Sequence, residues 1–442
     1  MGLEFRDAEI ELLRRQRWIS EEQHSRMTLV SGRHLSGKTA LVSEAYSDKP
    51  FLYFKLGGKT EPLSVAEFVE QTVRKMGIYV PKTVLTFRLL LDFLYKTAAA
   101  RPLTVVLDNF DEYIDKDPEF YTALGENLKK SKRYTRLNLV VLVSNPFHEE
   151  RLFGGETSPL RKCLDMDIRL GFFKISQMKA LLDRSGKAWT REDLLTLYML
   201  TGGCPKFFCD AVEAGPIDRK SVLDRALATG SPWMDGVKRR LAETMGHNSE
   251  VYLSLLELTS QGCDGLGAMQ KRLAGIIVGG HLMKLENDYG LVAKTRPVLA
   301  DKSSRNVVRY EVTDQYMDFW FRYIAADRSE ADAGDFAHIR SRIDEDWKVY
   351  AKKVLKRYFR QMLAEENGIS PIGGDWKSGK EKTFELDIVG LDSKTLRALV
   401  ADVELSAENF DKDSFLGRVI ALRVGALKGW NLDTRLFTPN DM

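Results

Sequence analysis

The sequence predicts an α/β fold: a mostly parallel sheet carrying a phosphate-binding loop, then an all-helical stretch, a winged helix, and a second, smaller α/β domain. Three observations carry this reading. The run Gly32-Arg33-His34-Leu35-Ser36-Gly37-Lys38-Thr39 fits G-x-x-x-x-G-K-[ST] at every fixed position, between an apolar strand-like run and a helical one. Buried-type strands then alternate with amphipathic helices, which implies a parallel sheet with its ligand at the carboxyl edge. From about residue 171 to 243 the alternation stops and the pattern is helical with no convincing strand.

In order along the chain, Phe5 to Gln16 reads as a short amphipathic helix, and Met27 to Val30 as the first strand. Ala40 to Ala45 is the helix after the loop, and Phe51 to Leu56 a second strand. Helical patterns follow around Val65–Met76 and Thr86–Ala99. Leu103-Thr104-Val105-Val106-Leu107-Asp108 reads as an apolar strand ending in a carboxylate and Leu137 to Val143 as another buried strand, of the kind found in the middle of a sheet, with a helix at Phe120–Ser131 between them. Residues 171–243 are helical, broken at Thr201-Gly202-Gly203-Cys204-Pro205. Three short helices (Ser249–Leu258, Leu266–Leu273, Ile276–Asn287) and a strand after Tyr289 have winged-helix order. Glu311 to Phe321 reads as an aromatic helix and Asp327 to Asp335 as a charged linker. The last domain reads as a helix (Trp347–Leu363), a turn at Gly373-Gly374 and strands at Phe384–Leu391 and Ala398–Leu405. The expected domains are 1–170, 171–243, 244–326 and 327–442.

The composition is that of an ordinary globular chain. Of 442 residues, 44% are hydrophobic and 29% charged, and the net charge of +3 gives no overall electrostatic argument for nucleic acid or membrane. Cys163, Cys204, Cys209 and Cys263 form no metal-type spacing, which suits free thiols in a reducing compartment. No apolar run approaches the ~18 residues of a membrane span, so a cytoplasmic location without membrane contact is expected.

A triphosphate needs inward-pointing backbone N–H groups, an ammonium reaching its β and γ oxygens, and a hydroxyl on Mg²⁺. Gly32, Ser36, Gly37, Lys38, Thr39 and Ala40 are therefore the candidate contacts to ATP or ADP, with Lys38 also catalytic and Thr39 a metal ligand. Asp108, ending a buried strand, would hold the Mg²⁺ shell opposite Thr39. The next position, where many such sites place a water-orienting Glu, is Asn109, which cannot accept a proton. Asp111 is the nearby catalytic candidate, with Glu112 beside it. Ser144 and Asn145 end the next strand as the polar pair to sense a γ-phosphate. Arg133, Arg136, Arg151 and Arg161 are the arginines that could stabilise a transferring charge.

Together with Phe5-Arg6-Asp7-Ala8-Glu9, Gly202-Gly203-Cys204-Pro205-Lys206-Phe207 and Val312-Thr313-Asp314 followed by Phe319-Trp320-Phe321, these motifs give the chain a resemblance. It resembles the archaeal-type ATPases of the STAND group, P-loop NTPases related to AAA+ proteins that often carry a C-terminal nuclease-like domain. The resemblance implies a helical lid whose Pro205 sits near the nucleotide, and a winged helix used for packing and relay. Its third helix offers only His281 and Lys284 as groups long enough to reach DNA, where recognition helices carry several Arg, Asn or Gln.

The last domain resembles the PD-(D/E)xK (restriction-endonuclease-like) fold, whose chemistry needs carboxylates converging on Mg²⁺ and a lysine that positions water. Asp387 is the retained acid. The second strand reads Asp402-Val403-Glu404, with a carboxylate in place of the lysine, and Lys356 stands where a Glu is often found. A degenerate nuclease fold kept for binding is the expectation. The function implied is an ATP-binding switch with slow or partner-dependent hydrolysis. Its alternatives are an ATP-dependent DNA-cleaving protein of defence type and a DNA-binding regulator without chemistry. The partner would be a protein or DNA, met through the winged helix and the last domain, with oligomerisation left open.

Overall fold

The computed structural model describes residues 4–113, 117, 119–245, 250–300, 308–365, 369–376 and 384–442. Contacts divide the chain into two compact units, Met1–Phe172 and Phe173–Met442.

The first unit runs α1 (Asp7–Glu22), β1 (Arg26–Gly32), α2 (Lys38–Ala45), β2 (Leu52–Lys55), α3 (Glu61–Met76), α4 (Phe87–Ala100), β3 (Leu103–Asp108), α5 (Phe120–Ser131), β4 (Leu137–Val143), α6 (Pro146–Glu149) and β5 (Met166–Leu170). Its five strands lie in the order β2-β3-β4-β1-β5, every pairing parallel. Because side chains alternate across a strand, β1, β2, β3 and β4 each feed two cores. Leu29, Val105 and Val141 pack with α3, α4 and α5. Val30, Val106 and Leu142 pack with Leu13 of α1 and with Leu41 and Val42 of α2. Helices therefore cover both faces, and the ligand edge is the row of strand carboxyl ends. β4 stands between β1 and β3, so the phosphate loop and Asp108 grow from strands that are not neighbours.

The second unit opens with α7 (Ile175–Arg184), α8 (Arg191–Thr201), α9 (Pro205–Glu213), α10 (Arg219–Ala226) and α11 (Pro232–Met245). Next come α12 (Glu250–Ser260), α13 (Leu266–Arg272), α14 (Gly279–Asn287) and an antiparallel pair, β6 (Val292–Thr295) with β7 (Arg309–Val312). After α15 (Gln315–Tyr323), α16 (Arg328–Ala333) and α17 (Ala337–Glu365) come β8 (Ile372–Trp376), β9 (Glu385–Asp392), β10 (Arg397–Val403), α18 (Lys412–Val424) and β11 (Asn431–Phe437). β8, β9 and β10 pair antiparallel in sequence, and β11 joins β10 in parallel. No helix among the described residues is long and apolar enough to cross a membrane.

Several local expectations change. Glu311 and Val312 lie in β7, so the aromatic helix starts at Gln315. The charged stretch after Asp327 is the helix α16. Gly373-Gly374 is not a turn but part of β8, where a Cβ at Gly374 would stand 2.7 Å from the Arg360 guanidinium and one at Gly373 3.0 Å from Val298. Glycine there admits a neighbour. Gly202, at φ +57°, closes α8 in the left-handed region, and a Cβ on it would meet the Gln315 Cβ at 2.5 Å.

α17 is the longest helix described, and its polar side chains reach almost every part of the second unit. Lys353 pairs with Asp318 of α15 at 2.9 Å, and Arg357 donates to the carbonyls of Val312 (2.9 Å) and Thr313. Lys352 meets Glu404 at 2.7 Å, Tyr198 of α8 donates to Gln361 at 2.8 Å, and the Ile175 N–H donates to Glu365 at 3.0 Å.

Candidate nucleotide site

The loop between β1 and α2 is shaped by backbone that side chains resist. Gly32 (φ +153°), Leu35 (φ +63°) and Gly37 (φ +94°) all take positive φ. A Cβ at Gly32 would collide with the Leu170 carbonyl oxygen at 2.4 Å and the Ser36 hydroxyl at 2.8 Å, so only glycine fits. Gly37 caps α2, whose first residues are Lys38, Thr39 and Ala40. Lys38 is 7% exposed, and its ammonium donates to the carbonyls of Gly32 (2.6 Å) and Arg33 (3.0 Å), arching over the loop. The Ser36 hydroxyl is buried with no hydrogen-bond partner among the described residues. A cradle closed to Cβ atoms, an ammonium held over it and an orphan hydroxyl inside it fit a phosphate group.

Asp108 is 7% exposed at the end of β3. Its Oδ2 accepts from the Thr39 hydroxyl at 3.3 Å, although β4 separates the strands they follow. These are the groups that would hold Mg²⁺, and the ion would neutralise phosphate charge there. The Asp108 Oδ1 accepts from the Asn109 N–H at 2.9 Å. Asn109 itself sits at φ +54°, a left-handed position that Asn tolerates better than Glu. That explains the residue type at this site: the backbone turns sharply to aim its N–H at the acid.

Asp111 is buried, with its Oδ2 3.3 Å from His148 Nδ1. Ser144 follows β4 at the same sheet edge, one position after Val143, which pairs with Ser31 of β1. The Asn145 Oδ1 accepts from the N–H groups of Phe147 (2.9 Å) and His148 (3.4 Å), capping α6. Arg133 and Arg136 precede β4 and so lie at the amino edge of the sheet, away from the phosphate loop, and Arg151 and Arg161 are exposed beyond α6. Pro205, in the second unit, occupies the first turn of α9, where its missing N–H costs nothing.

Sequence reasoning passed over two groups. Tyr53 of β2 donates its phenol hydrogen to the Asp108 Oδ2, and its oxygen lies 3.5 Å from the Thr39 hydroxyl. Burial and the Asp108 carboxylate both push the phenol's pKa up, so it stays a donor. It sits in an apolar run, and only strand alternation, with Leu52 and Phe54 turned to one core, marks it as facing the other side. Glu149 lies at the end of α6, where burial raises its pKa against the opposing pull of Arg169, 3.0 Å away, and of the Ser31 hydroxyl.

In the second unit the three carboxylates expected for a nuclease-like site each hold a cation. Asp387 Oδ1 lies 2.5 Å from the Lys356 ammonium while its Oδ2 accepts from the Val403 N–H at 2.9 Å. Asp402 pairs with Arg418, and Glu404 with Lys352 at 2.7 Å. Burial and the nearby Asp387 push the Asp402 pKa up to about 6, against the Arg418 guanidinium. Among the described residues, the group whose ligand atoms lie close enough to share one metal ion is instead Asp327, Glu330 and His338.

Comparison with known proteins supports the architecture. Residues 320–413 match the DUF234 family, described as archaeal and bacterial proteins of unknown function. A search of curated proteins finds no match. Among solved structures, the chain is similar to a Walker-type ATPase of Pyrococcus abyssi, at 14% identity and a TM-score of 0.52 over 72% of this chain and 95% of that one. It is also similar to the ORC2 protein of Aeropyrum pernix in ADPNP and ADP complexes, at 16% identity and a TM-score of 0.48, over 75% of this chain and 95% of that one. The likeness to the Pyrococcus protein is one of fold, and with the five-stranded parallel sheet it establishes this chain as an α/β protein of the Walker-type, P-loop ATPase fold with a separate C-terminal sheet.

Proposed function

We propose that the chain binds ATP with Mg²⁺ in the β1–α2 loop and acts as a nucleotide-controlled switch of the STAND type, with slow or partner-dependent hydrolysis. The observation that carries this is the meeting of Thr39 and Asp108 at the foot of the loop held by Lys38. Slow turnover follows from Asn109, whose backbone serves Asp108 and whose side chain offers no base. Asp111 is the carboxylate left to orient water. The domains are those set out from the sequence, with α7–α11 as lid and Pro205 as its reporter of bound nucleotide. The last domain is a nuclease-like fold retained for binding: an α-β-β-β-α-β order around a mixed four-stranded sheet supports the fold assignment. Cations already on Asp387, Asp402 and Glu404 argue against cleavage. For the α12–α14 module, Ile277 and Met283 are exposed, at 79% and 58%, a surface better suited to a protein partner than to DNA.

The test is equilibrium ATP binding and Mg²⁺-dependent turnover on the purified chain beside Lys38→Ala and Asn109→Glu. Wild type should bind ATP and hydrolyse it slowly, Lys38→Ala should lose at least tenfold in affinity, about 1.4 kcal/mol, and Asn109→Glu should speed turnover. Brisk wild-type hydrolysis that Asn109→Glu leaves unchanged would overturn the slow-switch reading, and no ATP binding at all would end it.

A further inference from the structure

We propose that Tyr53 is a lock on the metal position of the nucleotide site: its phenol holds the Asp108 oxygen that faces Thr39, and Mg²⁺ engages only when that hydroxyl gives way. This rests on the nucleotide reading above.

The lock is built from the edge of the sheet. β2 is an edge strand, so one side of its backbone lacks a strand partner. At Tyr53 that side is closed by a side chain of α3: the Tyr53 N–H donates to Gln71 Oε1 at 2.8 Å, and Gln71 Nε2 donates to the Tyr53 carbonyl at 2.9 Å. A primary amide thus copies the pairing of a missing strand and fixes the Tyr53 backbone. Leu52 and Phe54 are buried in one core, while the Tyr53 ring packs against the other, beside α2. From there the hydroxyl arrives at Asp108.

The acid's Oδ2 is then filled. A carboxylate oxygen offers about two lone-pair sites, and Asp108 Oδ2 accepts from both Thr39 and Tyr53, while Oδ1 accepts from the Asn109 N–H. Mg²⁺ demands a near-octahedral shell and keeps several waters, and a water reaching Asp108 from the Thr39 side meets the oxygen that Tyr53 occupies. Nucleotide alone leaves the phenol where it is. Nucleotide with Mg²⁺ must displace it, so the site distinguishes the two.

The experiment titrates MgCl₂ from EDTA into the full-length chain with a fluorescent ATP analogue, reading affinity rather than turnover. Tyr53→Phe removes one oxygen and keeps the ring. It should leave the affinity in EDTA unchanged and lower the Mg²⁺ concentration for half-maximal tightening about tenfold, the worth of one hydrogen bond to a charged acceptor. Gln71→Leu, remote from the phosphates, should shift the Mg²⁺ requirement the same way by a smaller factor. An unchanged or higher requirement in Tyr53→Phe overturns the lock while leaving nucleotide binding intact. Failure of both wild type and variant to bind the analogue even in EDTA overturns the nucleotide reading, and the lock with it.

Discussion

Replacing Lys356 by Met keeps the aliphatic stem and removes the ammonium, which isolates what the cation does in the C-terminal sheet. The Asp387 carboxylate, 7% exposed, would keep the Val403 N–H on Oδ2 and lose its 2.5 Å partner on Oδ1. Breaking a fully buried pair costs about 3–5 kcal/mol. The Lys356 side chain is 25% exposed, so water reaches the vacated position, and about 2 kcal/mol is the better figure. For a folded unit of this size each kcal/mol moves the midpoint by about 2–4 °C, giving a loss of roughly 4–8 °C. Thermal unfolding of the intact chain near neutral pH, followed by circular dichroism, measures this, with Lys356→Arg as the charge-keeping control. Added Mg²⁺ should leave the wild-type Tm unchanged and recover part of the loss in Lys356→Met, because an external cation then replaces the internal one. A Lys356→Met protein melting within about 1 °C of wild type would show that the pair is not holding the site, and would refute the reasoning.

Asp402 gives a pH dependence with a definite sign. Its folded pKa of about 6 lies above the unfolded value of about 3.9, so the folded chain takes up a proton that the unfolded chain does not. The resulting stabilisation is present in acid and is lost as pH rises through about 6, by up to about 3 kcal/mol. Denaturant midpoints between pH 5 and 7.5 should therefore fall with pH in wild type and flatten in Asp402→Asn, and an equally steep variant profile rejects the assignment. Gly202→Ala puts a Cβ 2.5 Å from the Gln315 Cβ at φ +57°, and should cost at least about 2 kcal/mol in the same measurement. A loss under about 0.5 kcal/mol would mean that the α8–α15 contact is looser than it looks.

What the sequence revealed and what it hid divide along burial. β3 and β4 are buried at every position and read as continuous apolar runs. β5 and β11 escaped notice because they are edge strands whose charged residues face water, as in Met-Asp-Ile-Arg-Leu and Asn-Leu-Asp-Thr-Arg-Leu-Phe. The phosphate loop is local in the chain and legible as a motif. The partners that qualify its chemistry are not local: Tyr53 reaches Asp108 across 55 residues and His148 reaches Asp111 across 37. Asn109 could be recognised as a missing base, but the positive φ that favours it is visible only in three dimensions. Likewise, Lys356 was identifiable as an altered position, while Lys352 and Arg418, which complete the neutralised cluster, belong to helices whose faces no motif marks.

α17 spans 29 residues, about 43 Å at 1.5 Å per residue, and it behaves mechanically as an axle. Its bonds to α15, to the carbonyl that ends β7, to Glu404 and Asp387 of the C-terminal domain, and to α7 and α8 run along one stiff rod. Twisting the rod at one end turns every spoke. The C-terminal sheet and the helices at the start of the second unit are therefore joined through one continuous helix rather than through a loop.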